Sequence, residues 1–220
     1  MKIAAMGPPS AEDVRRLAIR SKRYRNELAA AASMPGTSMI VYEPGHGVTL
    51  AAAMAGRKAG ANTMLLVVPK HTIPVWLEQL GKEHFAVTAV GGKKGTMSEA
   101  CRKAAVRREA QETEFLVFLA SPDGMAEAGH WHDAWRDRKP FGFVAVLDAE
   151  EFRNIRSEKN AGMKTVADRS GNAVLFVERN TAPERIRGLS EAWNLRPVPV
   201  LPNTEYTAAC PCRAMDPDQD

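Results

Sequence analysis

Short, continuous apolar runs alternate along this chain with longer segments in which apolar residues recur every three or four positions. The continuous runs predict buried strands, and the helical spacing predicts amphipathic helices. Six strands are predicted, at 38–42, 63–68, 85–90, 115–119, 143–147 and 173–177. Helices are predicted at 10–32, 49–60, 74–83, 98–112 and 183–193, with a weak helical pattern between the last two strands. Strands separated by helices indicate an α/β fold, a parallel sheet covered by helices on both faces.

The chain is interpreted as one domain followed by a tail. Its 220 residues are enough for a single sizeable core, which we place at 1–198. Prolines recur from residue 197 onward, so 199–220 is predicted to be an irregular tail. Cys210 and Cys212 lie in that tail without a second pair of ligands, and a metal site is not predicted there.

Composition narrows the class of protein. Hydrophobic residues make up 45% and charged residues 25%, which is typical of a globular protein. The net charge of +4 permits contact with a polyanion without requiring it. No membrane span and no secretory signal are evident, and three cysteines do not form a disulfide framework, so we expect an intracellular protein without a membrane partner, nuclear if the source is eukaryotic.

A glycine-containing turn follows the first predicted strand and opens a helix. It reads Gly45-His46-Gly47-Val48-Thr49. At such a turn, backbone amides and the helix dipole can hold a phosphate group. A complete phosphate loop has a lysine before the threonine, and here that position is Val48. The turn alone also fits an ordinary tight connection between a strand and a helix.

Together with other segments, this turn resembles the first RecA-like lobe of Swi/Snf-type superfamily 2 helicases, whose loop reads Met-Gly-Leu-Gly-Lys-Thr. The resemblance covers about 22–198. Residues 22–27, Lys-Arg-Tyr-Arg-Asn-Glu, are similar to the family's adenine-reading segment, and 67–78 are similar to its Val-Pro and tryptophan segment. Residues 147–154 correspond to the Asp-Glu-Ala-His element, and 181–183 with 193–195 to the Thr-Gly-Thr-Pro and Trp-Asn-Leu elements.

The resemblance implies a set of sites. ATP with magnesium is the implied cofactor, and DNA and a second helicase lobe or another protein are the implied partners. The nucleotide would contact Tyr24, Arg25, Gly45, His46, Gly47, Val48 and Thr49. Thr49 and Asp148 would hold magnesium, Asp148 and Glu150 would take the catalytic positions, and Lys70 and Trp76 would contact nucleic acid.

The departures from the family pattern are as informative as the matches. Val48 replaces the lysine, Leu147 replaces the magnesium-binding aspartate, and Glu150 stands where the family has histidine. Losing a single such charge-stabilising group typically slows a reaction ~100-fold or more. Replacement cations are available after other strands, at Lys70, Lys93 and Lys94, and Asp148 with Glu150 or Glu151 offers a water-mediated magnesium site.

Three functions fit these features. The first is a degenerate lobe that does not hydrolyse ATP and serves as a nucleotide- or DNA-binding regulatory module. The second is the ATP-binding half of a DNA-dependent ATPase that a partner chain completes, because a lone lobe is not expected to translocate along DNA. The third is an interaction scaffold without a ligand.

Overall fold

Apolar runs without alternation become buried strands, because a strand inside a parallel sheet is covered on both faces. The computed structural model describes residues 11–90, 96–110, 114–126 and 141–200. These ranges contain the strands β1 Gly36–Tyr42, β2 Thr63–Val67, β3 Ala86–Ala89, β4 Leu116–Ala120, β5 Phe143–Val146, β6 Asn172–Glu178 and β7 Pro197–Val200. They also contain the helices α1 Ala11–Ala32, α2 Val48–Lys58, α3 Ile73–Lys82, α4 Thr96–Glu109, α5 Pro122–Met125, α6 Glu158–Asp168 and α7 Pro183–Trp193. None of the helices in the described ranges is long and apolar enough to cross a membrane.

The seven strands form one sheet in the order β3-β4-β2-β5-β6-β1-β7, and every neighbouring pair is parallel. At its centre, all four residues of β5 are buried. The predicted α/β fold, a parallel sheet between helices, is confirmed. Parallel strands bring their carboxyl ends to one edge of the sheet, so the segments that follow β1, β2, β5 and β6 meet there. Open sheets of this kind bind their ligands at that edge.

Two core layers cover the faces of the sheet. Alternate residues of a strand point to opposite faces, and Leu65 and Leu66 accordingly belong to different layers. Residues of α4, α6 and α7, such as Met163, complete the layer of Leu65. Residues of α1, α2 and α3, such as Leu28, complete the layer of Leu66. Helices α1 and α2 therefore lie on the same face of the sheet, where α1 can reach the loop that opens α2.

The prediction that 199–220 form an irregular tail is wrong for its first two residues, 199 and 200. Pro197–Val200 forms strand β7, which pairs with β1 from Met39↔Pro197 to Tyr42↔Val200. Proline is tolerated here because β7 is an edge strand, and an edge strand has one side without ladder hydrogen bonds. Residues 201–220 lie outside the described residues. The weak helical pattern between β5 and β6 forms α6, which begins at a Ser157 cap whose side chain accepts a hydrogen bond from the Asn160 amide.

Candidate nucleotide-binding site

The loop between β1 and α2 is a turn with two glycines in conformations that other residues rarely adopt. Gly45 and Gly47 adopt positive φ angles of 82° and 75°, a region that glycine enters without the steric penalty of a Cβ. Helix α2 begins directly after Gly47, without a capping side-chain hydrogen bond and without an acidic residue in its first turn. Its first amides and the positive end of its dipole therefore have no compensating side chain in this part of the chain.

Tyr24 of α1 holds this loop in place. Its hydroxyl accepts a hydrogen bond from the Glu43 amide at 2.8 Å and donates one to the carbonyl of Val200. Burial raises the pKa of Tyr24 to about 12, so the hydroxyl keeps the proton that it donates at neutral pH. The ring meets His46 edge-on, with centroids 5.2 Å apart. Tyr24, predicted to contact nucleotide, is therefore a positioning residue for the loop in this structure.

His46 is the middle residue of the turn and also contacts α1. Its Nδ1 lies 3.3 Å from the Ser21 hydroxyl. Burial lowers the pKa of His46, and the neighbouring Glu43 carboxylate opposes that shift. Burial thereby favours the neutral form of the imidazole. Ser21 was not among the predicted site residues, although its position one helical turn before Tyr24 places both on the same face of α1.

Arg25 lies directly against the glycine that precedes α2. A Cβ built on Gly47 would stand 2.9 Å from Arg25 Cδ and 3.6 Å from one of its guanidinium nitrogens. Arg25 is partly buried, and no carboxylate of the described residues pairs with its guanidinium. The structure thus brings a cation, two glycines and an uncapped helix start together.

Val48 and Thr49 occupy the first turn of α2. Val48 is partly buried against the core layer of α1, α2 and α3. Its apolar side chain therefore packs at a position where a phosphate loop has a charged lysine. Thr49 is fully buried, and its hydroxyl has no hydrogen-bond partner within the described residues. A buried hydroxyl without a partner is uncommon, because it has lost its hydrogen bonds to water and has formed none within the protein. Its role as a magnesium ligand stays a prediction.

The segment after β5 is the one that resembles the Asp-Glu-Ala-His element of Swi/Snf-type helicases. Leu147 is 4% exposed and packs in the core, and its amide donates to the carbonyl of Val67 at the end of β2. Asp148 follows with a positive φ of 51° and opens the short 3-10 helix Ala149–Phe152. Partial burial is the largest cause that raises the pKa of Asp148, and the nearby Glu178 and Glu150 carboxylates raise it further. His71 opposes the rise.

Glu150, predicted at a catalytic position, is engaged in contacts within the chain. One carboxylate oxygen accepts from the Thr181 hydroxyl at 3.0 Å, and the other accepts from Arg185 at 3.2 Å. Glu150 therefore joins the segment after β5 to the loop between β6 and α7. Glu151, its alternative as a magnesium ligand, lies 4.0 Å from Lys159.

Glu178 belongs to the same edge and was missed by the sequence reasoning. It is the last residue of β6 and accepts a hydrogen bond from the Tyr42 hydroxyl at 3.2 Å. The only signal for it was a carboxylate directly after the apolar run 173–177. No group of three or more His, Cys, Asp and Glu side chains in the described ranges is arranged to hold a metal ion. Thr49 and Asp148 as magnesium ligands, and Asp148 with Glu150 or Glu151 as the alternative, stay predictions.

The predicted nucleic-acid residues lie close in sequence but differ in environment. Lys70 is exposed in the short 3-10 helix Lys70–Thr72, directly after β2. Trp76 lies on α3 and is partly buried against the core. Lys70 is therefore accessible to a polyanion, whereas much of Trp76 serves in packing. Lys93 and Lys94 lie outside the described residues.

Two of the segments that carry the family resemblance contact each other. The indole nitrogen of Trp193 donates to the carbonyl of Phe152 at 3.4 Å, and the Asn160 side-chain amide donates to the same carbonyl. Asn194 then ends α7 in a left-handed conformation, with φ 51°. Helices α6 and α7 thus fix the 3-10 helix that follows Asp148.

The sequence matches no protein-family model and no curated protein. Solved structures do match. The Pyrococcus furiosus Hef helicase domain superposes with a TM-score of 0.55 at 17% identity, covering 86% of this chain and 40% of that one. The Sulfolobus solfataricus SWI2/SNF2 ATPase core in complex with dsDNA superposes with a TM-score of 0.50 at 10% identity, covering 84% of this chain and 36% of that one.

The chain has a RecA-like fold, shared with these two structures. At these identities the likeness establishes the fold of a RecA-like helicase lobe and not its activity. This chain spans about two fifths of the solved chains that it matches.

Proposed function

We propose that this chain is a degenerate Swi/Snf-like helicase lobe that binds the phosphates of a nucleotide without hydrolysing ATP. The observation that carries the proposal is the start of α2. Gly45 and Gly47 have positive φ angles, no side chain caps the helix, and the Thr49 hydroxyl is buried without a partner among the described residues. An anion at this helix start would satisfy free amides and the positive end of the dipole.

The absence of hydrolysis follows from two replaced residues. Phosphoryl transfer depends on positive charge at the phosphates, a metal ion and an oriented water molecule. Val48 is uncharged, and Leu147 is buried in the core at the position of the family's metal aspartate. Burial and the neighbouring carboxylates disfavour the charged form of Asp148, which is the form that would bind magnesium.

The residues that would hold the nucleotide are therefore those of the loop and α1. The amides of the first turn of α2 and the Thr49 hydroxyl would face the phosphates, and magnesium, when bound, would neutralise part of their charge. Tyr24 would keep the loop in its binding conformation through its bond to the Glu43 amide. These roles require no catalytic group at Glu150, which is bonded to Thr181 and Arg185.

A hydrolysis assay tests the proposal. Phosphate release from Mg·ATP is measured with and without double-stranded DNA, for the wild type and for Val48→Lys. We expect no DNA-stimulated release from either protein, because Val48→Lys restores the lysine but not the metal aspartate. DNA-stimulated hydrolysis by the wild type would overturn the proposal and favour the active ATPase. In that case a partner chain would complete the ATPase.

DNA contact is a second candidate function. It is favoured by the Sulfolobus structure, whose ATPase core is in complex with dsDNA, and by the exposed Lys70 at the carboxyl edge. Affinity for a fluorescent duplex should fall as salt rises, because phosphate contacts release counterions. Lys70→Ala should weaken binding, whereas Lys58→Ala should not, since Lys58 is exposed at the far end of α2. Equal effects of both substitutions would exclude a site at Lys70.

A further inference from the structure

The environment of Arg25 is unfavourable for a cation as it stands. Its stem lies against Gly47, and Gly47 immediately precedes the first turn of α2. The start of a helix carries the equivalent of about half a positive charge, which repels a guanidinium. Arg25 is also partly buried, so part of its hydration is lost. A negative charge near the guanidinium would offset both costs, yet no carboxylate of the described residues pairs with it.

The Thr49 hydroxyl is a second and independent sign of a missing ligand. It is 0% exposed and lacks a partner in the described part of the chain. Side chains in a helix tilt toward its N-terminus, so a hydroxyl at the second position of α2 is directed toward the loop end of the helix. An anion bound at the loop would offer a partner to the Thr49 hydroxyl and a negative charge to the Arg25 guanidinium.

We propose that Arg25 supplies, from α1, the positive charge that the loop lost when Val48 replaced its lysine. The ligand class is a polyphosphate, as in a nucleoside di- or triphosphate. The inference rests on the proposed nucleotide site but concerns a different residue from the one that the family uses. An arginine suits the task because its planar group can donate two parallel hydrogen bonds to phosphate oxygens.

The fit between Arg25 and Gly47 explains how a side chain from another helix reaches the loop. Gly47 has no Cβ, and a Cβ there would approach Arg25 Cδ to 2.9 Å. The Arg25 stem can therefore lie against the residue that precedes α2, with a guanidinium nitrogen 3.6 Å from the position of that Cβ. Tyr24, the preceding residue, fixes this part of α1 to the loop through Glu43.

Binding of sodium tripolyphosphate and of Mg·ADP to Arg25→Ala, Arg25→Lys and the wild type tests the inference. We expect Arg25→Ala to raise the dissociation constant of both ligands about tenfold or more, since a hydrogen bond to a charged group is lost. Arg25→Lys should keep part of the affinity because it keeps the charge. Arg23→Ala is the matched control, because Arg23 is exposed on the same helix and pairs with Glu27. Ligand-free unfolding curves show that each variant is folded.

The double variant Arg25→Ala with Val48→Lys tests whether a lysine in the loop restores the binding that Arg25→Ala removes. A lysine at residue 48 should restore tripolyphosphate binding if the missing property is charge at the loop. Equal binding by the wild type and Arg25→Ala would overturn the role of Arg25 and leave the nucleotide proposal intact. Arg25-dependent binding of tripolyphosphate without binding of Mg·ADP or Mg·ATP would support the inference and contradict the nucleotide proposal. A wild type that binds none of these ligands would overturn both.

Discussion

The hydroxyl of Tyr24 accepts a hydrogen bond from the backbone amide of Glu43 and donates one to the carbonyl of Val200. A single buried side chain thereby connects helix α1, the loop before α2 and the edge strand β7. These three segments are far apart in sequence. Their connection explains why the loop keeps its conformation although no side chain caps α2.

Tyr24→Phe should lower the free energy of unfolding by about 1–3 kcal/mol, because it leaves the Glu43 amide and the Val200 carbonyl without their partner. Urea unfolding measures the effect. Tyr42→Phe is the control, since Tyr42 is equally buried but gives up only a bond to the partly exposed Glu178. A smaller loss for Tyr24→Phe than for Tyr42→Phe would contradict the connecting role of Tyr24.

Much of the fold was predictable from the sequence, because burial on both faces of a parallel sheet leaves continuous apolar runs. The run 143–147 illustrates this, since it contains the central strand Phe143–Val146. Strand β7 was missed because Pro197 and Pro199 argue against a strand unless it is known to lie at an edge. That knowledge requires the strand order, which depends on contacts between distant residues.

The site was predictable only where the residues lie in one stretch of sequence. The positions of Gly45 and Gly47 follow from a turn between a strand and a helix. The contact of Arg25 with Gly47 joins residues 22 positions apart, and that of Glu150 with Thr181 joins residues 31 apart. No local pattern specifies such contacts, because they depend on how the elements pack.

The two glycines of the loop allow a matched comparison. Alanine at Gly45 or at Gly47 should cost about 1–2 kcal/mol of stability, because both residues have positive φ angles. Only the alanine at Gly47 also displaces Arg25, since nothing lies within 4 Å of a Cβ at Gly45. Calorimetric titration with tripolyphosphate should therefore show a larger loss of affinity for Gly47→Ala. Equal losses would argue against the contact between Arg25 and Gly47 as a determinant of binding.

Asp148 should make stability depend on pH. Its pKa is raised in the folded protein, so its contribution is most favourable below its ordinary value of 3.8 and is lost as pH rises through the folded-state pKa. Asp148→Asn should therefore raise the melting temperature at pH 7, and the gain should shrink toward pH 3.8. Asparagine also tolerates the positive φ of this residue.

Asp123→Asn is a control for which we expect the opposite change in melting temperature. Lys159 lowers the pKa of Asp123, so that carboxylate stabilises the fold above pH 3.8 and the contribution is lost on acidification. Asp123→Asn should therefore lower the melting temperature slightly at pH 7. A gain for Asp148→Asn that stays constant between pH 4 and 7 would show that ionisation of Asp148 is not its cause.

The two contacts of Glu150 should contribute unequally to the free energy of unfolding. In double-mutant cycles, Glu150→Ala with Thr181→Val should give a coupling of about 1 kcal/mol, because Thr181 is partly buried. Glu150→Ala with Arg185→Ala should give about 0.2–0.5 kcal/mol, since Arg185 is 51% exposed and its ion pair is screened by water. A larger coupling for Arg185 would assign the linkage to charge instead of to the threonine hydroxyl.

Thermal unfolding with Mg·ATP and with Mg·ADP tests the central claim most directly, because a ligand that binds only the folded state must stabilise it. At 100 times the dissociation constant the gain is about 2.7 kcal/mol, which for a chain of 220 residues is a rise of roughly 5 to 10 °C. The account predicts such a rise with both nucleotides and no loss of the ATP during the measurement. An unchanged melting temperature at millimolar nucleotide would contradict it and leave a helicase-like fold that serves as a scaffold.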